Sequence, residues 1–270
     1  MNVGIVGYGI VGGATAKGFE KAHKLFLYDK FKDCGSSPKE ITQNAEVIFL
    51  CVPTPMLKSG KIDLSAVYES VESLEEYLAP DDKTIIVIRS TAVSGSADKL
   101  AETFPRRRFA VNPEFLKEKT AEEDFLKNER VIIGVKEDAV FEKVRRVYFE
   151  AGFKCPIVRT TFKEAEFLKY FSNAFLATKV SFANEMYEIA RALGVDYNKV
   201  KDLLLMDSRI GKSHFQVPGP DGDFGWGQKC FPKDVSALIY LAREHYVRPY
   251  LLEEAWRTNL KYRKNRDWEA

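Results

Sequence analysis

Val3-Gly4-Ile5-Val6-Gly7-Tyr8-Gly9-Ile10-Val11-Gly12 opens the chain and decides how the rest is read. The first four residues have the composition of a short buried strand. The next six follow the pattern GxGxxG, and a helix is expected from Ile10 onward. Each glycine has its own use: Gly7 allows a tight turn, Gly9 lets backbone approach a pyrophosphate, and Gly12 lets strand and helix pack closely. Ile10 and Val11 begin the helix, whose N–H groups and partial positive charge face the phosphates. The fingerprint alone is weak. It gains weight from Asp29, which ends the next apolar run, Leu25-Phe26-Leu27-Tyr28, at the spacing expected of an acid that binds ribose hydroxyls. A carboxylate there repels a 2′-phosphate and favours NAD over NADP, while Lys30 and Lys32 soften the preference. The competing reading is a glycine-rich turn with a solvent-facing aspartate.

Further apolar runs alternate with helical segments: Val47 to Val52, Thr84 to Ile88, Arg108 to Val111, Val131 to Val135 and Pro156 to Val158. Strands that are apolar throughout and separated by helices predict an α/β fold, a Rossmann-type, doubly wound, mostly parallel sheet covered on both faces. Helices are expected over Ile10 to Lys21, Leu64 to Leu78 (with Asp63 as its cap) and Asp138 to Glu150. After Thr161 the pattern becomes helical throughout. Phe162 to Leu193 has no Gly or Pro and carries apolar residues at helical spacing, and a helix this long bridges domains or builds a dimer seam. Asp196 caps a shorter helix. Ser208 to Lys229 reads as a long Gly- and Pro-rich loop, followed by helices near Lys233–Glu244 and Pro249–Arg263. The expected division is 1–161, a nucleotide-binding domain, and 162–270, an all-α helical domain.

Composition excludes several classes. With 270 residues, 45% hydrophobic and 30% charged, the chain is globular. A net charge of +2 gives no argument for nucleic acid, and Arg106-Arg107-Arg108 reads as a solvated strand entrance. Cys34, Cys51, Cys155 and Cys230 form no Cys-x-x-Cys pair, so no metal site or disulfide framework is indicated. Reduced thiols fit the cytoplasm. The apolar start lacks the features of a signal peptide, and no apolar run reaches membrane-spanning length.

The candidate reaction residues follow strand ends or share helix faces. Val52-Pro53-Thr54-Pro55 follows the third strand, Ser90-Thr91 the fourth and Asn112-Pro113-Glu114 the fifth, where α/β sheets place their ligands. Glu114 and Glu118 are four apart, and so are Lys169 and Asn173 on the long helix, which gives each pair a shared face. Lys169 reads either as a half-buried acid–base or oxyanion group or as a snorkelling side chain. Cys230 sits in Gly225-Trp226-Gly227-Gln228-Lys229-Cys230-Phe231-Pro232-Lys233-Asp234, after a basic residue and near a helix start. A thiol so placed is suited to nucleophilic capture of an aldehyde, although a buried thiol is the commoner fate. Asp234 lies four residues on.

Taken together, these stretches resemble the UDP-glucose/GDP-mannose dehydrogenase family. The resemblance also takes in Asn112-Pro113-Glu114-Phe115-Leu116-Lys117-Glu118, Asn184-Glu185 and Arg209-Ile210-Gly211. It implies a Rossmann domain followed by a helical central domain resembling 6-phosphogluconate dehydrogenase. The implied reaction is a four-electron, NAD-dependent oxidation of a nucleotide-sugar C6 alcohol, with UDP-glucose or a relative as substrate. Cys230 is implied to form a thiohemiacetal and then a thioester, and Lys169 and Asn173 to stabilise oxygen charge. Asp234 and Glu118 are implied to handle water, with Thr91 assisting. Pro53, Thr54, Ser90, Thr91 and Glu118 are implied to contact the cofactor beside Gly7, Gly9, Ile10, Val11, Gly12, Asp29 and Lys30. Glu114, Phe115, Leu116, Lys117 and Glu118 are implied to line the sugar site with Phe215, Gly219 and Gly227. The long helix is implied to form a homodimer core. The chain departs from the family pattern in three ways. The family carries a third α/β domain that covers the nucleotide, and this sequence stops after the central helices, which reads as a short form, a fragment or another way of covering substrate; Gln228 stands where the family carries a second glycine, and Pro220-Asp221-Gly222-Asp223 reads as an insertion. Two other readings stand beside this one: a two-electron 3-hydroxyacid dehydrogenase, which needs no thiol, and a cofactor-binding module without catalysis.

Overall fold

The apolar runs of the first 160 residues become the strands of one sheet. The computed structural model describes residues 1–269. In chain order the elements are β1 (Asn2–Val6), α1 (Ile10–Phe19), β2 (Lys24–Tyr28), α2 (Pro38–Asn44), β3 (Val47–Leu50), α3 (Ser65–Glu75), β4 (Ile85–Ile88), α4 (Ser96–Thr103), β5 (Arg108–Val111), a 3-10 turn (Glu118–Thr120), α5 (Ala121–Leu126), β6 (Val131–Gly134), α6 (Asp138–Glu150) and β7 (Ile157–Thr160). The helices α7 (Phe162–Ala192), α8 (Tyr197–Leu204), α9 (Cys230–Glu244) and α10 (Tyr250–Tyr262) follow. The chain forms two compact units, one of Met1–Pro55 with Ile62–Lys169, the other of Met56–Lys61 with the residues from Tyr170 onward. Helix α7 contributes to both.

The sheet has seven strands in the order β2-β1-β3-β4-β5-β6-β7. All neighbours are parallel except β5 and β6, which meet antiparallel at Val111 and Gly134. Successive residues of the central strands serve opposite faces, as the two-residue period requires. Ile48, Leu50, Ile86 and Ile88 pack on one side with α2, α3 and α4. Val47, Phe49, Ile85 and Val87 pack on the other with α1, α5 and α6. That double burial is why these strands are apolar at every position. The order turns back at β1, which lies between β2 and β3, so the crevice beyond the carboxyl ends of β1 and β3 is the topological switch point.

In the second unit, α7 packs Ala174 and Ala177 against Trp226 and against Val235 and Ile239 of α9. Its next turns pack Ala183 with Tyr197, Phe215 and Val217. Asp196 caps α8, accepting from Asn198 N and Lys199 N.

Several local expectations are corrected. Arg107 is not solvated: it is 8% exposed and donates to Glu75, to Ala79 O at 2.7 Å and to Leu78 O at 3.0 Å. It thereby fastens β5 to the end of α3. Asp63 accepts from Ser65 N at 2.9 Å, but Leu64 occupies the cap position, so the carboxylate works from one residue further out. The short helices α2, α4 and α5 lie where no helical period is legible. Helix α9 begins at Cys230 itself, three residues before the expected start.

Candidate functional site

In the first unit, Gly7 turns the chain at φ +91°, and a β-carbon there would meet the carbonyl of Cys51 at 2.7 Å. A β-carbon on Gly12 would strike Gly7 O, which is the close strand–helix packing expected of that glycine. Gly9 and Gly13 differ, because a β-carbon on either meets nothing within 4 Å. Helix α1 has no side-chain cap and no acid in its first turn. Among the described residues no side chain caps its leading N–H groups, as a phosphate-binding helix end requires. A cleft of about 690 Å³ lies there, lined by Gly9, Ile10, Gly13, Ala14, Glu118 and Leu126 among others.

Asp29 accepts from Tyr8 N at 2.7 Å through one oxygen and from Phe31 N at 2.9 Å through the other. Partial burial pushes its carboxyl up, but the N–H groups of Phe31 and Tyr8 and the charge of Lys32 outweigh this and hold it below the ordinary value. Each oxygen keeps acceptor capacity for a hydroxyl. Lys30 is drawn to Glu69 at 3.1 Å and Lys32 donates to Tyr8 O at 2.8 Å. Thr54 donates to Thr91 O at 2.7 Å, and Ser90 to Val52 O at 2.7 Å. These bonds tie the loops after β3 and β4 together beside the crevice, with Pro53 exposed between them. The open glycines, the uncapped helix end and the ionised Asp29 fit a dinucleotide.

Deeper in the same unit, Lys169 Nζ lies 2.7 Å from Glu114 Oε1, and both residues are buried. Leu116 N donates to the other Glu114 oxygen at 2.7 Å. Burial pushes the Glu114 carboxyl up, but the Lys169 charge and hydrogen bond, the Leu116 N–H and Arg89 together hold it below the usual range. The Lys169 ammonium also stands 5.7 Å from the centre of the Phe115 ring. Lys169 is therefore not a snorkelling lysine. Leu116 is half-buried, and Lys117 and Glu118 are exposed, with Lys117 N donating to Asp124 at 2.8 Å.

Sequence reasoning missed two buried charges here. Arg89 is 2% exposed and donates to Asn112 Oδ1 at 2.5 Å and to Tyr148 OH at 3.2 Å, with its guanidinium over the Phe125 ring. Its only signal is an arginine ending an apolar strand. Glu166, one turn before Lys169, accepts from Gly95 N at 2.6 Å and Ala97 N at 2.8 Å, capping α4 from another helix. Burial pushes its carboxyl up to about 7 against those N–H donors.

In the second unit, Asn173 donates to Asp234 Oδ2 at 2.5 Å and Lys233 donates to Oδ1 at 2.6 Å. Asn173 and Asp234 are buried. Cys230 is exposed and is the first residue of α9, one helical turn before Asp234. Peptide dipoles at that end favour negative charge. Burial pushes the thiols of Cys34, Cys51 and Cys155 up, that of Cys51 to about 12. Phe215 is buried in the helical core, its carbonyl accepting from Tyr197 OH at 2.8 Å, with the Lys179 ammonium 4.7 Å from its ring centre. Gly219 N donates to Asp223 O at 2.8 Å, and Gly227 lies against Arg263.

A mostly parallel sheet with this glycine turn and acid at its switch point is a Rossmann domain built for NAD. Residues 27–151 match the NAD-binding domain of the UDP-glucose/GDP-mannose dehydrogenase family, and residues 163–261 match its central domain. The chain belongs to that family. It is 38% identical over 226 residues to a UDP-glucose 6-dehydrogenase of Haloferax volcanii, covering 78% of this chain and 51% of that one. It is 42% identical over 214 residues to a UDP-glucose 6-dehydrogenase of Pseudomonas aeruginosa, covering 74% and 45%. A solved UDP-glucose dehydrogenase from Pyrobaculum islandicum superposes with a TM-score of 0.84 at 28% identity, covering 96% of this chain and 68% of that one. The chain thus spans about half the length of the curated relatives it matches. Among the described residues no helix is long and apolar enough to cross a membrane.

Proposed function

We propose that the chain oxidises the C6 alcohol of a nucleotide sugar, UDP-glucose or a relative, to the acid. The observation that carries this reading is Cys230, exposed at the start of α9 one turn before an Asp234 held by Asn173 and Lys233. An alcohol oxidation stopping at two electrons has no use for that thiol. NAD, when bound, supplies the hydride acceptor, one molecule for each two-electron oxidation. Gly7, Gly9, Ile10, Val11, Gly12 and Asp29 hold it, with Lys30, Pro53, Thr54, Ser90, Thr91 and Glu118 at its edges.

Cys230 adds to the aldehyde carbon, forming a C–S bond while the oxygen takes a proton. The same sulfur holds the carbon as a thioester at the acid level. Water then adds, the C–S bond breaks, the thiol regains its proton and the carboxylate leaves. Lys169 and Asn173 supply donors to the oxygen that gains charge in the additions. Asp234 and Glu118 orient water, with Thr91 assisting. Glu114 pairs with Lys169 and holds its ammonium in place, and Phe115, Leu116, Lys117, Phe215, Gly219 and Gly227 shape the sugar site.

Residues 1–161 act as the NAD-binding domain and 162–270 as the helical one. The assembly is a homodimer seamed along α7. Phe171, Phe175, Phe182 and Ile189 are 59%, 58%, 52% and 45% exposed, and their spacings of four, seven and seven residues keep them on one helix face. Reduced thiols fit a cytoplasmic protein.

The test is to incubate the protein with NAD and a panel of UDP-, GDP- and dTDP-sugars, following NADH and product mass. Two NADH per acid formed, lost in Cys230→Ala, supports the proposal. One NADH per product, or turnover indifferent to Cys230→Ala, overturns it.

A further inference from the structure

The turn that leads into Cys230 is held at every residue by side chains from α7, α10 and the segment after α10. Gly225 N donates to Asn184 Oδ1 at 3.0 Å. Asn259, which is wholly buried, accepts from Trp226 N at 2.7 Å and donates to Trp226 O at 2.8 Å. One carboxamide thus serves both backbone groups of that residue, as a neighbouring strand would. The Trp226 indole donates to Ser181 Oγ at 2.9 Å. Gly227 lies so close to the Arg263 guanidinium that a β-carbon would stand 2.6 Å from Cζ. Gln228 N donates to Asp267 Oδ1 at 2.8 Å.

Two departures from the family pattern find their physical account here. Gln228 stands where a glycine is usual and adopts φ +62°, a left-handed conformation that disfavours a residue bearing a side chain. It needs an outside partner to keep it there, and Asp267 is bonded to its N–H. The apparent insertion supplies Asp221 and Asp223. Arg263, 4% exposed, donates to Asp221 Oδ2 at 2.6 Å and to Asn265 O at 2.8 Å. Asp223 Oδ2 accepts from Lys264 N and Asn265 N and lies 3.6 Å from Arg263 Nε. The buried guanidinium is thus neutralised by the loop it presses on, as a buried charge must be.

We infer that Asn259 and Arg263 are positioning residues for the Cys230 thiol, locking the Gly225–Gln228 turn so that Cys230 begins α9 in one orientation. The inference rests on the proposed role of Cys230, but its test does not depend on turnover. The rate at which iodoacetamide alkylates Cys230 is measured from pH 6 to 9 in the full chain, read on the Cys230 peptide by mass so that the other three thiols do not contribute. Asn259→Ala, Arg263→Gln and Arg263→Lys are compared with the unaltered protein. The first two change the Cys230 rate about tenfold or more and displace its pH profile, and Arg263→Lys, which keeps the charge, changes both less.

Where a sugar is turned over, kcat falls about ten- to hundredfold, as expected for a displaced nucleophile, while KM for NAD holds. Asp267→Asn, at a half-buried surface position, gives a smaller change of the same kind and stands in for any variant that fails to fold. Superimposable alkylation profiles in the variants that fold overturn the inference, even if melting temperatures fall. If no sugar is oxidised yet the profiles move, the positioning claim stands and the proposed reaction does not. If Cys230→Ala abolishes acid formation while Asn259→Ala and Arg263→Gln keep kcat and profile, the reverse holds.

Discussion

Replacing Glu114 by Gln keeps the shape of the side chain and removes the anion beside a buried ammonium. The pair is 2.7 Å apart with side chains 5% and 9% exposed, so its gross attraction at an effective dielectric of 20 is about 6 kcal/mol. Desolvating two ions offsets most of that gain, and the intact pair adds little net stability. Breaking it is a different matter, because the buried Lys169 then loses the charge 2.7 Å from its ammonium, at a cost of about 3–5 kcal/mol. Glu114→Gln should therefore lower the melting temperature of the first unit by about 10 °C and speed hydrogen exchange at β4 and β5. The double variant Glu114→Gln/Lys169→Met should be more stable than Glu114→Gln alone, because no ammonium then has to stay desolvated beside the neutral amide. The pH dependence has a definite sign. The folded value of Glu114 lies below the unfolded one, so its contribution is complete above the unfolded range, near 4.5, and fades as pH falls through the folded value. A loss below about 1 kcal/mol for Glu114→Gln, or single-variant losses that simply add, would mean that the two charges are not coupled in the folded protein.

Glu166 carries the opposite sign. With its carboxyl pushed from 4.5 to about 7, the folded state holds the proton more tightly, so stability falls as pH rises from 4.5 to 7, by about 3 kcal/mol in all. Urea titrations of the unaltered protein and of Glu166→Gln should diverge across that window, and parallel curves mean that the N–H donors of α4 outweigh burial. Gly12→Ala drives a methyl into Gly7 O and should weaken NAD binding at least tenfold by calorimetry, whereas Gly13→Ala meets open space and should weaken it less. Phe175→Glu on the exposed face of α7 should turn a dimer into monomers in light scattering, and a monomer before substitution removes the proposed seam.

The N-terminal architecture was legible because its signals are local. Apolar runs of strand length, glycines where a turn and a close approach demand them, and an acid at the end of β2 each follow from backbone sterics and burial within a few residues of chain. The 31-residue helix α7 was legible for the same reason, its period being unbroken by Gly or Pro. The charge partners were not. Lys169 and Asn173 are one turn apart in the sequence pattern, yet Lys169 pairs with Glu114 and Asn173 with Asp234. Glu166 showed nothing in sequence because it caps a helix it does not belong to, and Arg89 because its partners lie 23 and 59 residues away. The glycine turn before Cys230 was visible as composition, but its clamp by Asn259, Arg263 and Asp267 was not. Local backbone preference is written residue by residue, so the strands, the long helices and the cofactor turn can be read from the chain, whereas the short helices α2, α4 and α5 cannot. Pairing of buried charges and polar groups depends on which distant segments burial brings together, and that is fixed by the packed fold and not by neighbours in the chain.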